Sequence, residues 1–254
     1  MASEKAEIQV LNPNDKLRVF VGASEQEGVP TKVLESSIKR RATIPVGVYS
    51  LGEVMKKKGI EVPTPKDPQN RPKTNFSFHR WCIPEICDYK GKAVYCDSDQ
   101  IVLEDVAELL KFFDKYPDKS VLVMSDKKEY IETSVMLIDC EKVNWDIRKI
   151  VKKLDEGSLN YKSLMFKMGL ESKDDYIIGA GPEWNSLDEF EEGKTKLLHY
   201  TNRGTQPYKG GKSPLTHLWI DELCAALNIG YVSKDEVASS VKNRWISTNC
   251  LQAK

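Results

Sequence analysis

The feature that most constrains the fold is a short apolar run, Lys92-Ala93-Val94-Tyr95-Cys96, that stops at Asp97-Ser98-Asp99. Such a run reads as a buried strand. Burying an unpaired carboxylate is costly, so two acids at the end of this strand need compensation. Alternate residues of an extended segment face the same side, so Asp97 and Asp99 can look into one crevice while Ser98 points away. Two carboxylates held close repel each other, and a divalent cation relieves that repulsion. Oxygen ligands suit magnesium or manganese. Turn chemistry, in which Asp and Ser are common, accounts for the same triplet without an ion.

The flanking pattern predicts an α/β fold. Leu17 to Val21 reads as a first strand that ends at Gly22, with a loop from Gly22 to Pro30. A helix is expected from about Thr31 to Arg41, with Val33, Leu34 and Ile38 on one face, and a second strand from Ile44 to Tyr49. This βαβ opening favours parallel pairing. The Pro-rich stretch 61–75 reads as a long loop, either a lid or a surface excursion. A short helix is expected over Trp81 to Ile86. After the acids, Val102, Val106, Leu109, Leu110 and Phe113 recur at helical spacing, with Glu104 and Asp105 in the first turn. Strands at Ser120 to Met124, Ser134 to Cys140 and Lys196 to Tyr200 follow, with helices at Val143 to Leu154 and Leu215 to Leu227. A last helix opens at a capping box, Ser233 with Glu236. The sum is a Rossmann-like open mixed sheet flanked by helices, in which ligands bind outside the carboxyl ends of the strands. Residues 1–16 are polar and are expected to pack loosely.

Bulk properties narrow the class. The chain has 254 residues, suited to one large α/β domain. Lys plus Arg number 38 and so do Asp plus Glu, which argues against a dedicated nucleic-acid partner. No apolar stretch is long enough to cross a membrane. Met1 to Ile8 lacks the apolar core of a secretory signal. The six cysteines are scattered without a CxxC pair, and there are three histidines, so reduced thiols, a cytoplasmic location and no structural zinc are expected.

At this point the chain resembles glycosyltransferase family 8, the glycogenin-like and lipopolysaccharide galactosyltransferase-like enzymes. Gly91 to Val102 looks like the family's strand ending in its Asp-x-Asp motif. Phe78-His79-Arg80-Trp81-Cys82-Ile83-Pro84 resembles its Arg segment, and Val33 to Ile38 its first helix. Pro182 to Leu187 and Lys196 to Tyr200 resemble its late Asn segment and metal-binding His. The resemblance, from about residue 17 to about 220, implies a single GT-A domain with a nucleotide-binding part over about 17–125 and an acceptor-side part over about 126–254. It implies transfer of a hexose from a UDP-sugar, with retention and with Mn2+ or Mg2+ as cofactor. Asp97, Asp99 and His199 would hold the metal. Gly22, Ala23, Ser24 and Arg80 would contact the donor, together with the Asp97-Ser98-Asp99 segment. Lys209 or Lys212 would supply positive charge to the diphosphate. The acceptor is left open: a glycan, a protein or a small molecule.

Two departures fall on the sugar and acceptor side. Glu132-Thr133-Ser134 stands where the family has Asn-Ser-Gly, and no Asp-Gln-Asp element is evident near Asn160 to Ser163. The stretch after His199, through Gln206-Pro207-Tyr208, is a loose version of the family's His-x-x-Gly-x-x-Lys-Pro-Trp. Each residue also has a plainer reading. A lone His is more often satisfied packing than a ligand, and Arg80 beside Trp81 can be a stacked or paired Arg. Tyr208-Lys209-Gly210-Gly211-Lys212-Ser213 does not follow a strand or match a Walker loop; it reads as a basic lid or a plain loop. Trp184 and Asn185 are candidates for lining the acceptor or sugar site, while Trp145 and Trp219 read as core and Lys56-Lys57-Lys58 as a solvated helix end. Two further functions are compatible: a nucleotide-sugar-binding module without turnover, and a sugar nucleotidyltransferase. Against the latter, Gly22 to Gly28 contains no basic residue.

Overall fold

The computed structural model describes residues 10–253. The chain runs β1 (Leu17–Gly22), α1 (Gly28–Arg41), β2 (Val46–Ser50), α2 (Leu51–Lys58), α3 (Ile83–Ile86), β3 (Lys92–Asp97), β4 (Gln100–Val102), α4 (Leu110–Lys115), β5 (Val121–Val123) and β6 (Val135–Asp139). It continues with α5 (Ile147–Asp155), α6 (Tyr161–Phe166), β7 (Tyr176–Ile178), β8 (Ser186–Leu187), β9 (Leu197–His199), α7 (Thr216–Asn228) and α8 (Lys234–Lys242).

The main sheet has the order β2-β1-β3-β6-β5-β7. β1 is parallel to both β2 and β3, whereas β6 runs antiparallel to β3 and β5. Its strands are apolar on both faces, as a sheet covered on both sides requires. Val19, Val21, Val94, Cys96, Val135 and Leu137 face Leu34 and Ile38 of α1. Phe20, Ala93, Tyr95, Met136 and Ile138 face a second cluster with Trp81, Trp145, Ile150 and Leu164. A third cluster joins Val33, Ile101 and Leu198 to Trp219 and Leu223 of α7. Glu222 on α7, 6% exposed, pairs with Arg40 and Arg41 and ties this module to α1.

A separate small sheet, β4-β9-β8, positions the site. β4 pairs antiparallel with β9 so that Gln100 lies opposite His199. This corrects the expected helix after the acids. Val102 belongs to β4, opposite Leu197, and its N–H donates to Ser37 Oγ at 3.0 Å. Asp105 is the cap of the following helical turn, its carboxylate accepting from Ala107 N at 2.9 Å, rather than a first-turn residue. The Ala-Val-Tyr-Cys run, the open mixed sheet and the Ser233–Glu236 capping box stand as expected.

Other boundaries moved. α1 begins three residues earlier, at Gly28, because Pro30 is tolerated in a first turn. α5 begins only after Asp146, whose side chain accepts from Arg148 N and Lys149 N. α2, α6 and β7 are short elements that the patterning did not indicate. Residues 10–16 are pinned rather than loose. Val10 and Leu11 pack on the core, Lys16 N donates to Pro45 O at 3.0 Å, and Asp15 accepts from the Tyr49 hydroxyl. The absence of a secretory signal in Met1 to Ile8 lies outside the described residues, as does the loose packing expected of residues 1–9.

The 61–75 loop is a strap. Asn70, 8% exposed, donates to Leu154 O and accepts from Tyr161 N, which fastens the strap to the end of α5 and the start of α6. All six cysteines are free thiols. Among the described residues no helix is long and apolar enough to cross a membrane.

Candidate metal centre

Asp97 ends β3 beside Gly22, the last residue of β1, and Asp97 N donates to Ser134 O at 3.1 Å. Asp99 precedes β4, and its carbonyl accepts from Tyr200 N at 3.0 Å just after β9. The β4–β9 ladder therefore carries His199 to the two acids across 99 positions of sequence. Candidate ligand atoms of Asp97, Asp99 and His199 lie within 4.8 Å of one another. Ser98, between the acids, is 2% exposed, whereas the two carboxylates keep 21% and 20% of their side-chain surface.

Each of the three side chains is held at one polar atom. Asp97 Oδ1 receives the Tyr95 hydroxyl and faces Arg80 Nη2 at 3.3 Å. Asp99 Oδ2 accepts from Gln206 Nε2 at 2.9 Å. His199 Nδ1 lies 3.1 Å from Asn185 Oδ1 and 3.1 Å from Ser134 Oγ. This leaves Asp97 Oδ2, Asp99 Oδ1 and His199 Nε2. Asp99 Oδ1 is buried and has no hydrogen-bond partner; His199 Nε2 approaches it at 3.1 Å but out of line for a hydrogen bond. An orphaned buried carboxylate oxygen beside a second carboxylate and an imidazole fits a divalent cation.

The electrostatics agree. Burial pushes the Asp97 carboxyl up; Arg80 pulls it back and Asp99 raises it again, leaving it at about 6. Burial alone would lower the His199 imidazole, but Asp99, with Asp97 behind it, lifts it to about 9. One imidazolium thus balances part of the charge that a cation would otherwise neutralise.

The structure places the other sequence candidates as follows. Arg80 is 5% exposed, and its guanidinium donates to Thr133 O and Thr133 Oγ1, both at 2.8 Å, and lies 4.3 Å over the Tyr95 ring. It braces Asp97, and most of its donors are used within the protein. Gly22, Ala23 and Ser24 form the turn at the carboxyl end of β1; Ser24 Oγ donates to Glu27 at 2.9 Å. A Cβ at Gly22 would overlap the Tyr95 hydroxyl, so glycine there is what lets Tyr95 reach Asp97. Lys209 Nζ donates to Trp245 O at 3.0 Å, toward the C-terminal turn, and Lys212 is exposed. Neither makes a contact with the acids.

The Tyr208 hydroxyl, in a residue that is fully buried, has no partner and lies in the field of Asp99, Glu27 and Arg203. The loop is tightly folded, since a Cβ at Gly211 would overlap the Thr205 backbone. Trp184 is fully buried and Asn185 is 3% exposed, so neither lines an open acceptor site. Tyr95, Thr133, Ser134 and Gln206 are site residues to which sequence reasoning gave no role, and Asn185 stands behind the His199 ring instead of lining a sugar site. A concavity of about 1390 Å³ lies elsewhere, at the amino-terminal ends of β1 and β3 near Arg18 and Lys92.

No family model matches the chain. It is similar to the protein CDI of Arabidopsis thaliana, with 26% identity over 228 residues, 81% of this chain and 85% of that protein. Among solved structures it is similar to the glycosyltransferase GlyE of Streptococcus pneumoniae TIGR4, with TM-score 0.57, 17% identity and coverage of 82% of this chain and 60% of that one. The galactosyltransferase LgtC, solved with donor and acceptor sugar analogues, gives TM-score 0.55 at 13% identity, covering 81% and 95%. The bifunctional glycosyltransferase WbbM gives TM-score 0.56 at 14% identity, covering 87% of this chain. The fold is GT-A. The chain spans 60% of the length of GlyE and 52% of WbbM. Within this GT-A fold the three candidate ligands stand at the carboxyl edge of β1 and β3, where open α/β sheets take their ligands.

Proposed function

We propose that the protein is a divalent-metal-dependent glycosyltransferase of the family 8 type, a single cytoplasmic GT-A domain that moves a hexose from a UDP-sugar to an acceptor with retention. The observation that supports this reading best is the set of three convergent side chains, each tethered at one atom and open at another. Mn2+ or Mg2+ would be held by Asp97, Asp99 and His199. Such an ion, when bound, supplies Lewis-acid neutralisation of the charge on a departing diphosphate, typically worth several kcal/mol of barrier.

The remaining roles belong to the chain. Arg80 and Tyr95 keep Asp97 oriented, and Gln206 does so for Asp99, so little reorganisation accompanies donor binding. The turn Gly22-Ala23-Ser24 would take the nucleotide at the carboxyl end of β1. The loop carrying Arg203, Tyr208, Lys209 and Lys212 would cover the diphosphate, and the buried Tyr208 hydroxyl is a donor without a partner. Attack by the acceptor hydroxyl on the same face, assisted by the departing phosphate, accounts for retention without an enzyme nucleophile.

The test is a screen of UDP-sugar consumption with Mn2+, with Asp99→Ala alongside. Turnover that is lost in Asp99→Ala and in chelator supports the reading; turnover unchanged in both rejects it. A binding module without turnover is the second reading, favoured by the segment where the family carries Asp-Gln-Asp: here Asn160 caps α6, its side chain accepting from Ser163 N at 2.8 Å. Donor binding without transfer or hydrolysis would select it.

A further inference from the structure

A buried histidine beside carboxylates can take either neutral tautomer, and only one leaves Nε2 open to a cation. With the proton on Nε2, that nitrogen has no lone pair to offer a cation and the site is closed. The choice is made behind the ring. Asn185 Oδ1 faces Nδ1 at 3.1 Å, while Asn185 Nδ2 donates to Ser134 Oγ at 3.1 Å. In this orientation the amide presents an oxygen to the ring, and a carboxamide oxygen only accepts, so this contact is a hydrogen bond only when Nδ1 carries hydrogen. His199, Asn185 and Ser134 are 4%, 3% and 0% exposed, which leaves little room for water to substitute for the amide.

The amide is itself fixed. Asn185 N donates to Pro182 O at 3.0 Å, the preceding Trp184 is fully buried, and β8 follows at once, parallel to β9. Ser134 stands at the entry to β6, and its carbonyl accepts from Asp97 N and Gln100 Nε2. One buried unit therefore touches both acids' segments and the imidazole.

We propose that Asn185, oriented by Ser134, is a positioning residue that keeps hydrogen on Nδ1 of His199, so that Nε2 is the nitrogen that meets the cation. This rests on the metal reading above. Outer partners of this kind are typically worth about 10- to 100-fold in metal affinity.

The test uses the full chain with 15N-labelled histidine. Only three histidines are present, so the His199 signals can be assigned by comparison with a His199→Gln variant. Loaded with Cd2+ as a diamagnetic probe, His199 is expected to show a protonated Nδ1 and a cation-bound Nε2. By electron paramagnetic resonance, Mn2+ affinity is expected to fall about 10- to 100-fold in Asn185→Leu and to stay within about threefold of the parent in Asn185→Asp, which keeps an acceptor. A bare Nδ1 in the loaded protein, or Asn185→Leu binding Mn2+ as tightly as the parent, overturns the proposal while leaving the metal reading intact. A folded parent chain that binds neither ion overturns both. Should Asn185→Leu fail to fold, the histidine spectrum of the parent and the Asn185→Asp affinity decide.

Discussion

Gly22→Ala probes the bracing of Asp97 without touching any candidate ligand. The added Cβ would overlap the Tyr95 hydroxyl and come within 3.1 Å of Tyr95 Cε2 and Phe76 Cδ2. Tyr95 is fully buried beneath Arg80, so it cannot move without cost. Overpacking of this sort costs about 1–3 kcal/mol. Displacing the hydroxyl also breaks its hydrogen bond to Asp97, about 1.5–3 kcal/mol for a charged acceptor. The expected loss is therefore about 2.5–6 kcal/mol. Tyr95→Phe removes the same hydrogen bond and the worst of the overlap, so the two changes should not add. Urea denaturation of both single variants and the double variant gives the coupling. The double variant is expected to be more stable than the additive sum by about 1.5–3 kcal/mol. Additive losses would refute the argument that Gly22 exists here to admit the Tyr95 hydroxyl.

Asp99→Ala should leave the far-ultraviolet circular dichroism spectrum intact and weaken Mn2+ binding by more than about 100-fold, read by calorimetry. Metal affinity should depend on pH in a definite direction. A cation must displace the proton of His199, held at about 9, and below about 6 that of Asp97 as well, so affinity rises with pH. The slope should be about one log unit per pH unit between about 6 and 9, and it should flatten above; a pH-independent affinity across that window would exclude His199 as a ligand. Glu222→Ala should cost roughly 2 kcal/mol in thermal denaturation by leaving Arg40 and Arg41 without their shared partner on α7, and should spare Mn2+ affinity.

Much of the fold was legible because its strands are apolar on both faces and its helices are amphipathic, as at Ala93–Cys96 and Ile147–Leu154. Asp97 and Asp99 were legible because carboxylates ending such a strand demand a reason. β4 was not, since Gln100-Ile101-Val102 merges with the helical spacing of Val106, Leu109 and Phe113, and only pairing with a strand 97 residues away makes it extended. Gln206 is a plain polar residue in sequence and becomes a brace for Asp99 only through that folding. The expectation for Lys209 followed charge alone; in the structure the backbone carbonyl of Trp245 claims it. Asn185 was seen as a possible sugar contact, because nothing local reveals that Trp184 buries the turn it sits on.

The ladder that sets Gln100 against His199 has a bearing on how the protein is born. Translation proceeds from the amino end, and β1, α1, β2 and β3 can begin to pair long before codon 199 is reached. Arg80 and Tyr95 are already made to brace Asp97, but Asp99 waits for His199 and Gln206 while about a hundred more residues are made. A ribosome that stalls anywhere in that interval leaves a polypeptide with β1, β2 and β3 and no imidazole beside the two acids. The candidate cation site is thus completed late in synthesis, so an unfinished copy lacks it.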